Sequence, residues 1–149
     1  MSQAYHTLLR ELAEEIGLDP DELLKTEEIV IDDLPIGLQL EGEGNECEIW
    51  LCALLAAPSA DRWPEVARTV LQANHLWTAT GGGTLGMLPS DSTVSLNVRR
   101  LLRDLDCEKL AVLLAKTADI GLAWQDFITL GIGTDDLPAF SSADMNMRA

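Results

Sequence analysis

Positive charge is scarce in this chain. Over 149 residues, 10 Lys and Arg face 25 Asp and Glu, a formal net charge of −15. Nucleic-acid binding needs clustered Lys and Arg to neutralise phosphates, so this balance argues against that class. It argues equally against docking on an anionic membrane surface. It suits a protein kept soluble by self-repulsion, or one that meets a basic partner. Histidine is nearly absent, with only His6 and His75. His6 falls near the exposed side of a helical segment and reads as solvated. His75 sits at a helix end, where an imidazole more often meets terminal carbonyls than a substrate. HExxH, CxxC and Asp-rich metal loops are all missing, so no metal site is expected. No G-x-S-x-G elbow occurs, and no Ser is evidently paired with a His. Carboxylate pairs such as Glu14–Glu15 and Asp32–Asp33 are too common here to single out a site.

Cysteine is also sparse and unpatterned. Cys47, Cys52 and Cys107 are odd in number and widely spaced, which favours free thiols in a reducing cytoplasm. Cys47 and Cys52 fall on opposite faces of one strand. No apolar run approaches the ~18–20 residues that span a bilayer. The N-terminal MSQAYHTLLRELAEEIG carries acids and lacks a basic region before an apolar one, so it does not read as a signal peptide.

What is present is a strong pattern of amphipathic segments. Tyr5, Leu8, Leu9, Leu12, Ala13 and Ile16 recur at helical spacing, predicting a helix from Gln3 to Gly17 with Ser2 as cap. LDPDELLKTEE reads as a turn that includes a short helical piece. EIVID and IGLQLEG read as strands, the second alternating Ile36, Leu38 and Leu40 against Gly37, Gln39 and Glu41. EGEGN is a turn, and ECEIWLCALLAA then reads as a central strand covered on both faces. A buried helix competes for that run, but the preceding turn and Pro58 favour a strand. A second long helix is expected from Ser59 or Asp61, with Trp63, Val66, Ala67, Val70, Leu71 and Asn74 on one face. TLGMLPS and STVSLNVRRL read as two more strands. A third long helix follows from Asp106 to Leu130.

The order helix, three strands, helix, two strands, helix predicts an α+β sandwich: α-β-β-β-α-β-β-α, with helices packed on a twisted antiparallel sheet. Residues 1–130 read as one domain and 131–149 as a loose tail rich in Gly, Ser, Asp and Ala. Gly81–Gly83 invite a phosphate-loop reading. Such a loop follows a strand and opens a helix, whereas this one follows a helix and opens a strand, with no Lys close in sequence. It reads as a helix C-cap and turn.

The stretch VLQANHLWTATGGGTLGMLPSDSTVSLNVRRLLRDLDCEKLAVLLAKTADIGLAWQDFI resembles the class I type III secretion chaperones, the family of Tir-type effector chaperones. A helix ending in Leu71–Asn74 leads to the Gly81–Gly83 turn and strands at Leu85–Leu88 and Val94–Leu96. An amphipathic last helix, Leu110–Trp124, completes the pattern, and the resemblance covers about residues 3–130. It implies a cytoplasmic homodimer in a Gram-negative bacterium. It implies binding of an effector's N-terminal segment, kept extended and delivered to the secretion ATPase, with no cofactor and no catalysis. By family position the dimer interface falls on Trp63, Val66, Ala67, Val70, Leu71 and Leu85. Effector contacts fall on Leu8, Leu12, Ile29, Ile31, Ile36, Leu38 and Leu40, some of which must also hold the first helix to the sheet. Two other readings stay open: a regulator or adaptor that binds a folded partner, and a small enzyme using His75 and the glycine turn.

Overall fold

The computed structural model describes residues 2–131, so the tail expected beyond Gly131 lies outside the described residues. The elements follow the expected order with one addition. Helix α1 (Gln3–Ile16) is followed by a short α2 (Pro20–Thr26), then strands β1 (Glu28–Ile31), β2 (Leu34–Glu41) and β3 (Glu48–Ala56). Helix α3 (Trp63–Asn74), strands β4 (Thr84–Met87) and β5 (Val94–Leu101), and helix α4 (Cys107–Leu130) complete the chain.

Local chemistry explains the boundaries. Gly17, at φ 78°, ends α1, while Ser2 occupies the cap position without a side-chain cap bond. Asp19 caps α2 by accepting from the N–H groups of Asp21 and Glu22, with Pro20 in the first turn. Asp32 and Asp33 have φ of 49° and 67°, the left-handed pair that a two-residue hairpin turn requires. They join β1 to β2 with Ile31 opposite Leu34. Helix α3 starts later than expected, at Trp63, because residues from Ser59 form a turn whose carbonyl accepts from Arg62 and Trp63. Asp106 caps α4 by accepting from the Lys109 N–H.

The five strands form an antiparallel sheet in the order β1-β2-β3-β5-β4. Helices α1 and α4 cover one face. Their core includes Tyr5, Leu9, Leu110, Trp124 and Phe127, with the last two rings edge to face at 5.7 Å. From the sheet, Ile36, Ile49, Leu51, Ala53 and Leu96 enter the same core. Here one expectation fails. Strand β3 is central but covered on one face only: Ile49, Leu51, Ala53 and Leu55 are buried, while Trp50 and Leu54 on the other parity are 40% and 47% exposed. Among the described residues no helix lies over that second face.

Candidate functional site

Two surfaces at opposite edges of the sheet combine exposed apolar side chains with a geometry suited to a protein partner. The first begins at β1. This strand pairs only with β2, so its outer backbone edge is left without a strand neighbour among the described residues. Beside it runs a groove of about 330 Å³ lined by Leu12, Ile16 and Leu18, by Ile29, Val30 and Ile31, and by Ala111, Leu114 and Ala115 of α4. None of these nine side chains is polar. Ile16, Leu18 and Val30 are 42%, 43% and 59% exposed, so the groove has an accessible rim over a buried floor.

Of the effector residues expected from the sequence, Leu12, Ile29 and Ile31 line this groove. Leu8, Ile36 and Leu38 are core residues at 6%, 0% and 3% exposure, and Leu40 is half-buried against the core. Leu8 faces the core from α1, and the alternation of β2 turns Ile36, Leu38 and Leu40 toward that same core. The rim residues Ile16, Leu18 and Val30 were missed. Their signal was available: Ile16 ends the apolar stripe of α1, and Val30 is the β-branched residue on the exposed parity of β1.

The second surface is the outer side of α3. The expected dimer stripe divides into two faces. Val66, with Thr69 and Ala73, turns inward and is buried. Trp63 and Leu71 turn outward, 37% and 72% exposed, with Ala67 and Val70 half-buried between them. Leu85 on β4 is 3% exposed. Beyond the helix, Trp77 is 48% exposed and shares a cavity with Trp50, Thr84, Asn97 and Arg99 on the uncovered sheet face. Asn74 fixes α3 in place. Its Nδ2 donates to the Leu85 carbonyl at 2.8 Å, and its Oδ1 accepts from the Leu85 N–H at 2.9 Å. The amide thereby does for β4 what a neighbouring strand would do. Arg62 anchors the other end of α3: its Nη1 donates to the carbonyls of Phe127 and Ile128 at 2.8 and 2.7 Å, and its guanidinium stacks on the Phe127 ring.

The glycine turn links these parts. Thr80 Oγ1 donates to the Gly83 carbonyl, and the Trp124 indole donates to the Ala79 carbonyl. A Cβ on Gly83 would lie 2.9 Å from the Asn97 carbonyl oxygen and 2.9 Å from Val98 Cγ2, so close strand packing demands glycine there. Basic groups lie nearer than the sequence order suggested: a Cβ on Gly81 would lie 3.3 Å from Lys116 Cε, and one on Gly82 3.6 Å from Arg100 Nη2. They arrive from β5 and α4, far along the chain. Asp104, Asp106 and Glu108 line the same pocket as these two cations and Lys109.

The groups that could support catalysis are dispersed. His75 is exposed at the end of α3. Burial pushes the Cys52 thiol up from its ordinary value, and the Cys107 thiol is raised by desolvation and by the nearby acids Glu15, Glu11 and Asp106. Raised thiols are weakly ionised and poor nucleophiles at neutral pH. Among the described residues no three His, Cys, Asp or Glu side chains are grouped to hold a metal. No described helix is long and apolar enough to cross a membrane.

The fold with its helix-covered sheet is that of a type III secretion chaperone. The sequence matches the Tir chaperone protein (CesT) family over residues 7–119, and the chain belongs to that family. Solved structures agree in fold. A chain of the HopA1–SchA chaperone–effector complex superposes with a TM-score of 0.64 at 17% identity, over 83% of this chain and 94% of that one. A chain of the ExsC–ExsE complex gives 0.63 at 20% identity, over 86% and 97%. A chain of the complex of the Yersinia pestis type III secretion chaperone SycH with a stable fragment of YscM2 gives 0.58 at 20% identity, over 78% and 96%. No curated protein sequence matches the chain significantly.

Proposed function

We propose that this protein is a cytoplasmic type III secretion chaperone of a Gram-negative bacterium that works as a homodimer. It binds the N-terminal region of a cognate effector, keeps it extended and soluble, and presents it to the secretion apparatus through the secretion ATPase. The observation that carries the reading is the all-apolar groove beside the unpaired edge of β1, on a chain of this family. An extended segment laid along β1 gains main-chain hydrogen bonds while alternate side chains enter the groove. Covering Ile16, Leu18 and Val30, each roughly half exposed, contributes about 1 kcal/mol apiece at ~25 cal/mol per Å². The client's apolar side chains are buried on the chaperone in place of its own core, and this keeps the segment unfolded. Self-association uses the outer stripe of α3, in a two-fold arrangement that sets Trp63, Val70 and Leu71 against their copies.

The test uses the full chain and the N-terminal segment of the secreted protein encoded beside it. Val30→Asp places a charge on the groove rim without touching the core, and calorimetry should show client affinity falling at least about tenfold, or 1.4 kcal/mol. Equal binding by the variant and the parent would remove the groove from the mechanism. A parent chain that ignores the segment would remove the chaperone reading for that client.

A further inference from the structure

The register of β1 with β2 fixes which backbone groups face the open edge. The Leu38 N–H donates to the Glu27 carbonyl at 2.7 Å, and Glu28, Ile29, Val30 and Ile31 stand opposite Gly37, Ile36, Pro35 and Leu34. Antiparallel pairs alternate between bonded and unbonded, so with Glu27 bonded to β2, Ile29 and Ile31 bond to it as well. Glu28 and Val30 then turn their N–H and C=O groups outward. Pro35, opposite Val30, has no N–H to give, in agreement with that phase. A client strand therefore bonds to Glu28 and Val30, and its side chains follow the pleat. Client residues opposite Ile29 and Ile31 enter the groove, and those opposite Glu28 and Val30 share the uncovered face with them. The next client residue past Ile31 meets the turn at Asp32 and Asp33.

The same strand is bracketed by acids. Residues 27–33 read Glu-Glu-Ile-Val-Ile-Asp-Asp, without Lys or Arg. Glu27 accepts from the Tyr5 hydroxyl. Glu28, Asp32 and Asp33 are exposed, and none of them forms an ion pair among the described residues. Glu28 faces Gly37 across β2, so no side chain on that strand stands directly opposite it. On the helices beside the groove, Glu15 adjoins Ile16, and Asp119 lies one turn beyond Ala115, both exposed. A second copy of β1 laid on this edge would set like charges against one another, so the edge rejects its own kind. The acids that repel a copy attract a client of opposite sign.

We propose that the client segment held at β1 has a basic residue on each side of three apolar ones, the two cations four positions apart. One cation meets Glu28, and the other meets Asp32 and Asp33. This rests on the groove beside β1 being the client site. The acid–apolar–acid order of the strand is the same in both directions, so a parallel or an antiparallel client satisfies it. Each opposite-charge pair across the strands favours binding by a factor of about two, so two pairs give about fourfold over a neutral segment.

The experiment uses the full chain and three synthetic peptides. The first is Ser-Lys-Val-Ile-Val-Lys-Ser, the second has Gln in place of both Lys, and the third, Ser-Val-Lys-Lys-Ile-Val-Ser, keeps the charge but moves it to the centre. Amide NMR titration gives affinities, and hydrogen exchange at Glu28 and Val30 reports docking on the edge. The first peptide should bind about fourfold more tightly than the second, and both should slow exchange at the two outward amides. The third should lose that gain. So should the first on the Glu28→Gln/Asp32→Asn/Asp33→Asn variant, in which Asn tolerates the left-handed turn positions. Equal affinities of the first two peptides, with exchange still slowed, overturn the charge pattern and leave the groove reading standing. A gain that the third peptide shares, or that survives in the variant, also overturns it, because the field of the whole chain would then be responsible. If neither of the first two peptides slows exchange at the edge, the groove reading fails and this proposal fails with it.

Discussion

Asn74 is the sharpest test of the architecture. Its amide makes two hydrogen bonds with the backbone of Leu85, a residue only 3% exposed. Asn74→Ala removes both partners and leaves a donor and an acceptor of a buried residue unpaired. A typical net hydrogen bond contributes about 1 kcal/mol, and an orphaned buried group costs about 1–3. The expected loss is about 2–4 kcal/mol in urea denaturation followed by circular dichroism at fixed protein concentration. Asn74→Asp separates the two bonds. Its carboxylate still accepts from the Leu85 N–H but faces the Leu85 carbonyl with a lone pair where a donor is needed. At pH 7 it should be at least as damaging as the alanine variant. Protonation restores a donor, so the folded state holds the new carboxyl in its neutral form and raises its pKa. That contribution is present below the unfolded carboxyl value of about 4 and is lost as pH rises through the folded value. The Asp variant should therefore recover relative to the Ala variant on acidification. If Asn74→Ala stays within about 0.5 kcal/mol of the parent, the amide does not hold α3 against β4 and the reasoning fails.

Two further perturbations probe the turn and the core. Gly83→Ala brings a methyl group against the Asn97 carbonyl oxygen and Val98 Cγ2, both at 2.9 Å, and should cost about 1–3 kcal/mol; a melting temperature equal to the parent's would refute the close-packing argument. Tyr5 is the chain's single tyrosine, fully buried and donating to Glu27 at 2.8 Å, and burial, that bond and the Glu27 charge together push its phenol well above the ordinary range. Its contribution to stability is complete below the unfolded value of about 10 and is lost as pH climbs toward the folded one. The tyrosinate absorbance at 295 nm should therefore stay flat through pH 10 and rise only on alkaline unfolding, and a normal titration in the folded protein would contradict the burial.

The sequence made some levels of this structure legible and left others hidden. Helix α1 was readable because one periodic stripe, Tyr5 to Ala13, meets one covering surface, and burial follows the period. Strand β3 and helix α3 were harder for a shared reason. The run from Ile49 to Ala57 is apolar at both parities, and α3 is apolar over more than one face, yet the folded chain covers only one side of each. A sequence is shaped by every surface buried in a working assembly, whereas the described residues alone supply one layer of helices. The excess apolar positions, Trp50, Leu54, Trp63 and Leu71, are where a single-chain reading of burial fails. The groove rim was hidden differently. Val30 and Ile16 lie on separate elements, and only the sheet order brings them together. The cations beside the glycine turn were invisible because Arg100 and Lys116 reach it from other elements.

The sheet edges explain how two partner surfaces can coexist. An antiparallel sheet has two edges, each a template for a further strand. At β4, the Asn74 amide occupies the Leu85 backbone and α3 packs alongside, so that edge is closed at this point. At β1 no such group intervenes among the described residues, and the apolar groove opens directly beside it. With β2, β3 and β5 between them, the two edges stand about 19 Å apart at ~4.8 Å per strand. A strand added at β1 and a copy packed on α3 therefore share no side chain. Client capture and self-association, as proposed, can proceed without competing for space.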